Sequence, residues 1–182
     1  KPTSKLSGHI EPINFVEVYY TSRNSLPSVS QIQSINSFMK IKSNYDLLLR
    51  AQYLVELSEK FFTEEANNNP QLEILIETIN QLSKTDHPDL VILVYEFELL
   101  KGHGFGLRIF ECLNCSKSLT KSSNYFSYTN GGFYCESCLG EVHANEELVK
   151  FSVEDQVIFR SIERKAYNEL LNLDIKDLSI KK

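Results

Sequence analysis

The 182-residue sequence predicts an α+β chain: a short β segment, then a helical domain interrupted by a small cysteine-bearing module. Three observations carry this. β-branched and aromatic residues crowd positions 10–20, apolar residues recur at helical spacing from about 44, and all four cysteines fall between 112 and 138. Hydrophobic residues make up 42% and charged residues 24%, enough apolar material for a core, which excludes wholesale disorder. No stretch approaches eighteen uncharged apolar residues, so a transmembrane helix is excluded. No basic-then-apolar signal peptide opens the chain.

Residues 10–20, from Ile10 to Tyr20, predict a strand after Pro12. Thr21-Ser-Arg-Asn-Ser25 is turn chemistry, and Leu26–Ile35 predicts a second strand weakened early by Pro27. Two strands alone are not stable in water. With lysine at position 1, this predicts that part of a β-domain precedes the segment.

From about 44 to 63, Leu47, Leu48, Ala51, Leu54, Val55, Phe61 and Phe62 share one side of a 3.6-residue period, opposite Asp46, Arg50, Glu59 and Lys60. Glu56, Glu59, Glu64 and Glu65 read as its solvated face, not as an acid–base pair. Asn67-Asn-Asn-Pro70 breaks this helix. Asn69 is expected to cap the next one, with Pro70 at its first position and Leu72, Leu75, Ile76 and Ile79 buried. Leu90–Tyr95 would serve as a buried strand, but Pro88 before it and the helix formers Glu96, Glu98, Leu99 and Leu100 after it favour a helix over 89–101. Being apolar nearly all round, that helix belongs at the centre of a helical bundle. Gly102, Gly104 and Gly106 end it. They follow a helix rather than a strand, with no Gly-Lys-Ser/Thr, so chain reversal explains them better than a phosphate loop. Ser152-Val-Glu-Asp155 resembles a capping signal for a helix over about 153–171, with a polar tail beyond 174.

The spacing Cys112-x2-Cys115-x19-Cys135-x2-Cys138 is the one strong chemical motif. Two residues between paired cysteines let a tight knuckle aim both sulfurs at one ion, and two knuckles complete a tetrahedron. The insert carries strand-like Tyr125–Tyr128 and Phe133-Tyr134 about an Asn130-Gly131-Gly132 turn. Together these make a zinc-ribbon pattern; iron in the same tetrahedron and a disulfide pair are the alternatives. With every position filled by protein thiolate, the metal is expected to be structural. Tyr125, Phe126, Tyr128, Phe133 and Tyr134 are expected to cover a minimal core rather than stack on bases. His9, His87, His103 and His143 form no catalytic pattern.

The net charge is −5, yet it is uneven. Residues 1–50 hold six Lys/Arg against three Asp/Glu, and residues 51–182 hold thirteen against twenty-one. A basic front on an acidic body can direct a nucleic-acid surface one way; chance over a small count is the other account.

Four features in order resemble the RecO family of bacterial recombination mediators. They are Ser4-Lys5-Leu6-Ser7-Gly8-x-x-Glu11-Pro12; Tyr53-Leu-Val-Glu56-Leu57; Tyr95-Glu-Phe-Glu-Leu99-Leu100, then Gly104-Phe105-Gly106 and the first cysteine pair; and Phe126-Ser127, Gly131-Gly132 and the second pair. The resemblance implies a remnant of an N-terminal OB-fold over 1–36 and a helical domain over 37–111 and 139–182. Between its halves it implies a four-cysteine zinc ribbon over 112–138. It implies binding of single- and double-stranded DNA, annealing of complementary strands without ATP, and cooperation with RecR in loading RecA onto DNA coated by single-strand-binding protein. The implied protein is not an enzyme, is cytoplasmic and nucleoid-associated, and touches no membrane. Lys1, Lys5 and Arg23 are the candidate phosphate contacts left in the truncated barrel. Where some relatives carry arginines near a pocket for the single-strand-binding protein's acidic tail, this chain has Val91-Ile-Leu-Val94. Two rivals remain: a zinc-ribbon protein-interaction or transcription-associated module with little DNA binding, and a zinc enzyme.

Overall fold

The computed structural model describes residue 8 and residues 10–21, 27–63, 67–142, 146–165 and 167–170. Backbone contacts divide the chain into two compact units, Lys1–Pro88 and Asp89–Lys182.

The first unit opens with two antiparallel strands, β1 (Phe15–Thr21) and β2 (Ser28–Asn36), registered from Phe15 opposite Asn36 to Thr21 opposite Ser28. The β-branched and aromatic content predicted both. Of the sixteen residues in the pair, Ile32 alone is buried; Val18, Tyr19, Tyr20, Val29 and Ile35 all face solvent. A short helix α1 (Met39–Lys42) follows, unannounced by periodicity because four residues carry none.

The next helix, α2 (Tyr45–Phe61), begins where Asn44 accepts from the backbone N–H groups of Asp46 and Leu47 at 3.0 and 3.2 Å, satisfying two orphan donors. Ala51, Leu54 and Ser58 form its buried line. Val55 does not join it: it is 38% exposed, because one residue beyond Leu54 turns it about 100° away. Ser58 survives burial by donating its hydroxyl to the Leu54 carbonyl at 2.6 Å. On the outer face Glu56 and Lys60 pair at 3.4 Å, as a solvated face should.

Helix α3 (Asn69–Leu82) packs on α2, burying Leu75, Thr78, Ile79 and Leu82. Its cap position is Asn68, not Asn69; Asn69 is already helical and Pro70 follows it. The Asn68 amide instead donates back to the Thr63 carbonyl at 2.7 Å, and it is the Asn67 side chain that accepts the Asn69 N–H, at 3.2 Å. Leu72 and Ile76 are only half-buried, since the stripe runs through Thr78 and Leu82 instead.

Helix α4 (Pro88–Gly102) opens the second unit. Its buried residues Val91, Val94, Tyr95, Phe97 and Leu99 span about 200° of its circumference, the pattern of a central helix. Val94 and Phe97 join a core with Ile162 and Leu170 from α5 (Val153–Arg164) and α6 (Tyr167–Leu170). These two replace the single helix expected over 153–171: the chain turns extended at Lys165 (φ −93°, ψ 151°) and restarts at Tyr167. The expected capping box is present. Ser152 Oγ accepts from Asp155 N at 3.1 Å, and the Asp155 carboxylate accepts from Ser152 N at 3.1 Å.

A four-stranded sheet completes the unit, in the order β3 (Arg108–Cys112), β5 (Gly132–Tyr134), β4 (Asn124–Ser127), β6 (Leu148–Phe151). The β4–β5 hairpin follows the sequence expectation, with Gly131 at φ 60° in its turn. The outer strands β3 and β6 were not anticipated, and they extend the sheet beyond 112–138 on both sides. Gly132 is required where β5 meets β3: a Cβ there would lie 2.7 Å from the Arg108 carbonyl oxygen. Ile109, Phe126 and Phe133 form the sheet core, with Phe151 and Phe159 against it.

A buried polar cluster ties α5 to this sheet. The Asn124 amide donates to Gln156 Oε1 at 2.7 Å and to the Ser122 carbonyl at 3.0 Å. The Gln156 amide donates to the carbonyls of Ser122, Phe151 and Ser152 at 3.0, 3.3 and 3.1 Å. Arg160 reaches Gln156 Oε1 and the Ile109 carbonyl, each at 3.1 Å. Replacing Gln156 with Leu removes one partner each from Asn124 and Arg160 and takes the side-chain donor from the Phe151 carbonyl, while Asn124 keeps the Ser122 carbonyl and Arg160 keeps the Ile109 carbonyl. At about 1–3 kcal/mol for an unsatisfied buried group, relieved in part by the partners that remain, we expect a loss within that range in chemical denaturation.

Candidate metal centre

The fold brings the four cysteines together from two knuckles. Cys112 ends β3 and Cys115 lies three residues on. The first knuckle closes by hydrogen bonds from Ser116 N to the Cys112 carbonyl at 3.0 Å and from Cys112 N to the Lys117 carbonyl at 2.9 Å. Ser116 takes φ 54°, the left-handed turn that lets the knuckle reverse. Cys135 follows β5, and Cys138 sits in a 3-10 turn over Glu136–Glu141, its N–H bonded to the Cys135 carbonyl at 3.0 Å. The knuckles meet through Leu113 N to the Phe133 carbonyl at 2.8 Å, Cys135 N to Cys112 Sγ at 3.4 Å, and the Asn114 amide to the Glu141 carboxylate at 2.5 Å.

All four Sγ atoms lie within 4.8 Å of one another, and Cys115 and Cys135 are 3.9 Å apart. Tetrahedral zinc–thiolate bonds of about 2.3 Å would hold sulfurs about 3.8 Å apart. The thiols are free, so the disulfide alternative is not what this arrangement presents. Donor type, number and spacing therefore fit a closed tetrahedral ion. Cys112 and Cys138 are buried, while Cys115 and Cys135 are partly exposed.

The thiols are electrostatically unequal. Burial pushes Cys112 up, but backbone N–H groups of Cys115, Cys135 and Asn114 outweigh it and bring the thiol down to about 6. The Ser137 hydroxyl, 3.2 Å from Cys135 Sγ, lowers Cys135 against the opposing effect of burial. Asn114 pulls Cys138 down, yet the Cys135 sulfur, burial, and the Cys115 and Cys112 sulfurs together push it up to about 12. A metal ion must displace each proton still held. Cys138 keeps its proton through neutral pH, so zinc affinity should rise at least about tenfold per pH unit from 6 to 8. Below pH 6 Cys112 also protonates, and the affinity should fall about tenfold more steeply per unit. Competition against a chromophoric chelator across pH 5–8 measures both slopes.

Sequence reasoning located the four thiols but missed Asn114 and Ser137. Each sits inside a C-x2-C pair, where a short polar residue is the available signal. Of the expected aromatics, Phe126 and Phe133 are core, Tyr125 and Tyr134 are half-buried, and Tyr128 is 66% exposed. His103 Nδ1 lies 2.7 Å from the Leu99 carbonyl, closing the end of α4. Lys1, Lys5, Arg23, His9, His143, Glu64 and Glu65 lie outside the described residues. Beside the hairpin, an apolar cleft of about 630 Å³ is lined by residues including Leu93, Phe97, Phe105, Tyr128 and Phe159. Among the described residues, no helix is long and apolar enough to cross a membrane.

The family model for the recombination protein O C terminal matches residues 42–170, from the end of α1 through α6. The chain belongs to the RecO family. A DNA repair protein RecO from Dehalococcoides mccartyi is 31% identical over 176 residues, covering 96% of this chain and 68% of the relative. One from Roseiflexus is 31% identical over 137 residues, 75% of this chain and 48% of the relative. One from Caldicellulosiruptor saccharolyticus is 29% identical over 155 residues, 85% of this chain and 62% of the relative. This RecO-family chain thus spans between about half and two thirds of the length of these relatives.

Proposed function

We propose that this chain is the greater part of a DNA-repair recombination mediator that binds single- and double-stranded DNA, anneals complementary strands, and helps RecR load RecA onto DNA coated by single-strand-binding protein. The match to the RecO family across α2–α6 and the cysteine module carries this reading. The cysteine module is a zinc ribbon with a structural ion, since four thiolates leave no position for water or substrate at the metal, and the mediator role itself needs no catalysis. The β1–β2 pair is the late part of an OB-fold. Its support is the exposure of Val18, Tyr20 and Val29 on strands that two-stranded pairing cannot stabilise, so further strands of the whole protein complete the barrel. Lys1, Lys5 and Arg23 add phosphate contacts to the groove of that barrel. The site of action is the cytoplasm, on the nucleoid.

Annealing needs no covalent step. It needs two polyanions brought together by neutralising charge, and so it weakens as salt rises. The full protein, mixed with complementary fluorescent oligonucleotides without ATP, should accelerate duplex formation at about 50 mM salt and lose most of that acceleration by about 200 mM. No annealing at either salt would instead favour a protein-interaction module with little DNA contact, a reading that draws on the acidic body and the apolar cleft.

A further inference from the structure

We propose that the four-thiol site is also a hydroperoxide-responsive switch, in which Cys115 and Cys135 close into a disulfide and release the metal. The proposal rests on the reading that the site holds zinc. Three observations select this pair. First, a hydroperoxide must reach the sulfur it oxidises, and of the four thiols Cys115 and Cys135 are the partly exposed ones, whereas Cys112 is wholly buried and Cys138 nearly so. Second, their sulfurs already stand 3.9 Å apart, so closure to a disulfide bond of about 2.05 Å asks for rotation about two side chains rather than movement of a strand. Third, the knuckles are held together by contacts that do not pass through the metal: Asn114 to Glu141 at 2.5 Å and Leu113 N to the Phe133 carbonyl at 2.8 Å. Cys115 therefore already faces Cys135 in the folded site, and the disulfide forms before the ion leaves.

The chemistry balances with a hydroperoxide as the oxidant. The Cys135 thiolate, beside the Ser137 hydroxyl at 3.2 Å, attacks the terminal peroxide oxygen. A sulfur–oxygen bond forms, the oxygen–oxygen bond breaks, and the departing alkoxide or hydroxide takes one proton from solvent. The Cys115 thiolate then attacks the Cys135 sulfur; the disulfide forms and the second oxygen leaves as hydroxide, taking a second proton to become water. Two thiolates lose two electrons in all, and the peroxide gains them. Cys112 and Cys138 remain as two ligands, too few to retain the ion. A thiol reductant reverses the disulfide and restores the site.

The test uses the full chain loaded with zinc under reducing conditions and then freed of reductant. Zinc content is measured first. One equivalent of hydrogen peroxide is added, free zinc is read with a chromophoric chelator, remaining thiols are blocked with iodoacetamide, and the non-reduced digest is mapped by mass spectrometry. The expected result is one zinc released per chain, a Cys115–Cys135 cross-linked peptide as the dominant product, Cys112 and Cys138 alkylated, and full zinc rebinding after reduction. A reduced chain that holds no zinc overturns the metal-site reading and the switch together. A zinc-loaded chain that keeps its zinc, links another pair predominantly, or fails to rebind after reduction overturns the switch alone.

Discussion

A Cys135→Ser chain should bind zinc a few hundredfold more weakly than the parent and should lose ordered structure across β3, the β4–β5 hairpin and both knuckles. The reason is that a closed thiolate site supplies folding free energy to a module too small to bury much surface of its own. Structural zinc in such modules binds with roughly 10–16 kcal/mol, so one ligand in four accounts for about 2.5–4 kcal/mol. Cys135 also contributes its N–H to Cys112 Sγ, so its displacement disturbs the opposite knuckle as well. Metal analysis after dialysis against a chelator reads the first effect. Amide hydrogen exchange reads the second: protection should fall over residues 108–138, while α2 and α3, in the other compact unit, stay protected. A variant that kept both its zinc and this protection would show that the ion does not hold the module together. A variant that stayed folded while losing a turnover activity would instead support the zinc-enzyme rival.

Truncating Phe126 to Ala should cost about 3–5 kcal/mol, the range for removing a large aromatic side chain from a packed core. Phe126 stands at the centre of a ring cluster, edge-to-face with Phe133, Tyr128 and Phe159 at centroid distances of 5.1, 5.4 and 6.1 Å and tilted against Phe151 at 5.5 Å. Phe159 in turn meets Phe97 at 5.0 Å, so the cluster links the hairpin, β6, α5 and α4. Removing the hub leaves a void lined by rings already fixed by one another, which limits collapse into it. Urea denaturation of the zinc-loaded protein measures the loss. A change below about 1 kcal/mol would mean the cluster repacks freely, contrary to this account.

Features set by near neighbours were legible in the sequence. The Ser152–Asp155 capping box, the Asn-Pro break before α3, the hairpin about Gly131 and the paired cysteines all work over separations of two to four residues, so the required residue types appear side by side. The length and apolar character of α4 likewise told its central place. Where a local signal was ambiguous, tertiary context decided it. Three asparagines precede Pro70, and composition alone does not tell that Asn68 takes the cap position while Asn67 accepts the first helical N–H. Strands β3 and β6 are five and four residues long, too short for periodicity to announce, and each exists because a distant strand supplies its hydrogen bonds: β5 for one, β4 for the other. Asn124 and Gln156 are polar, and nothing local marks them as core, yet both are buried, because each satisfies the other across 32 residues of chain.

The sequence by itself determined that four thiols would meet: their number and C-x2-C spacing are properties of the chain, and a tight turn is enough to pair each set. The tertiary structure alone decided how those thiols differ. Which sulfur is buried, which receives backbone N–H groups, and which pair faces solvent all depend on how β3 and β5 lie side by side. Exposure and hydrogen bonding are properties of surroundings, and the surroundings of each cysteine are built from residues that are not its neighbours in sequence.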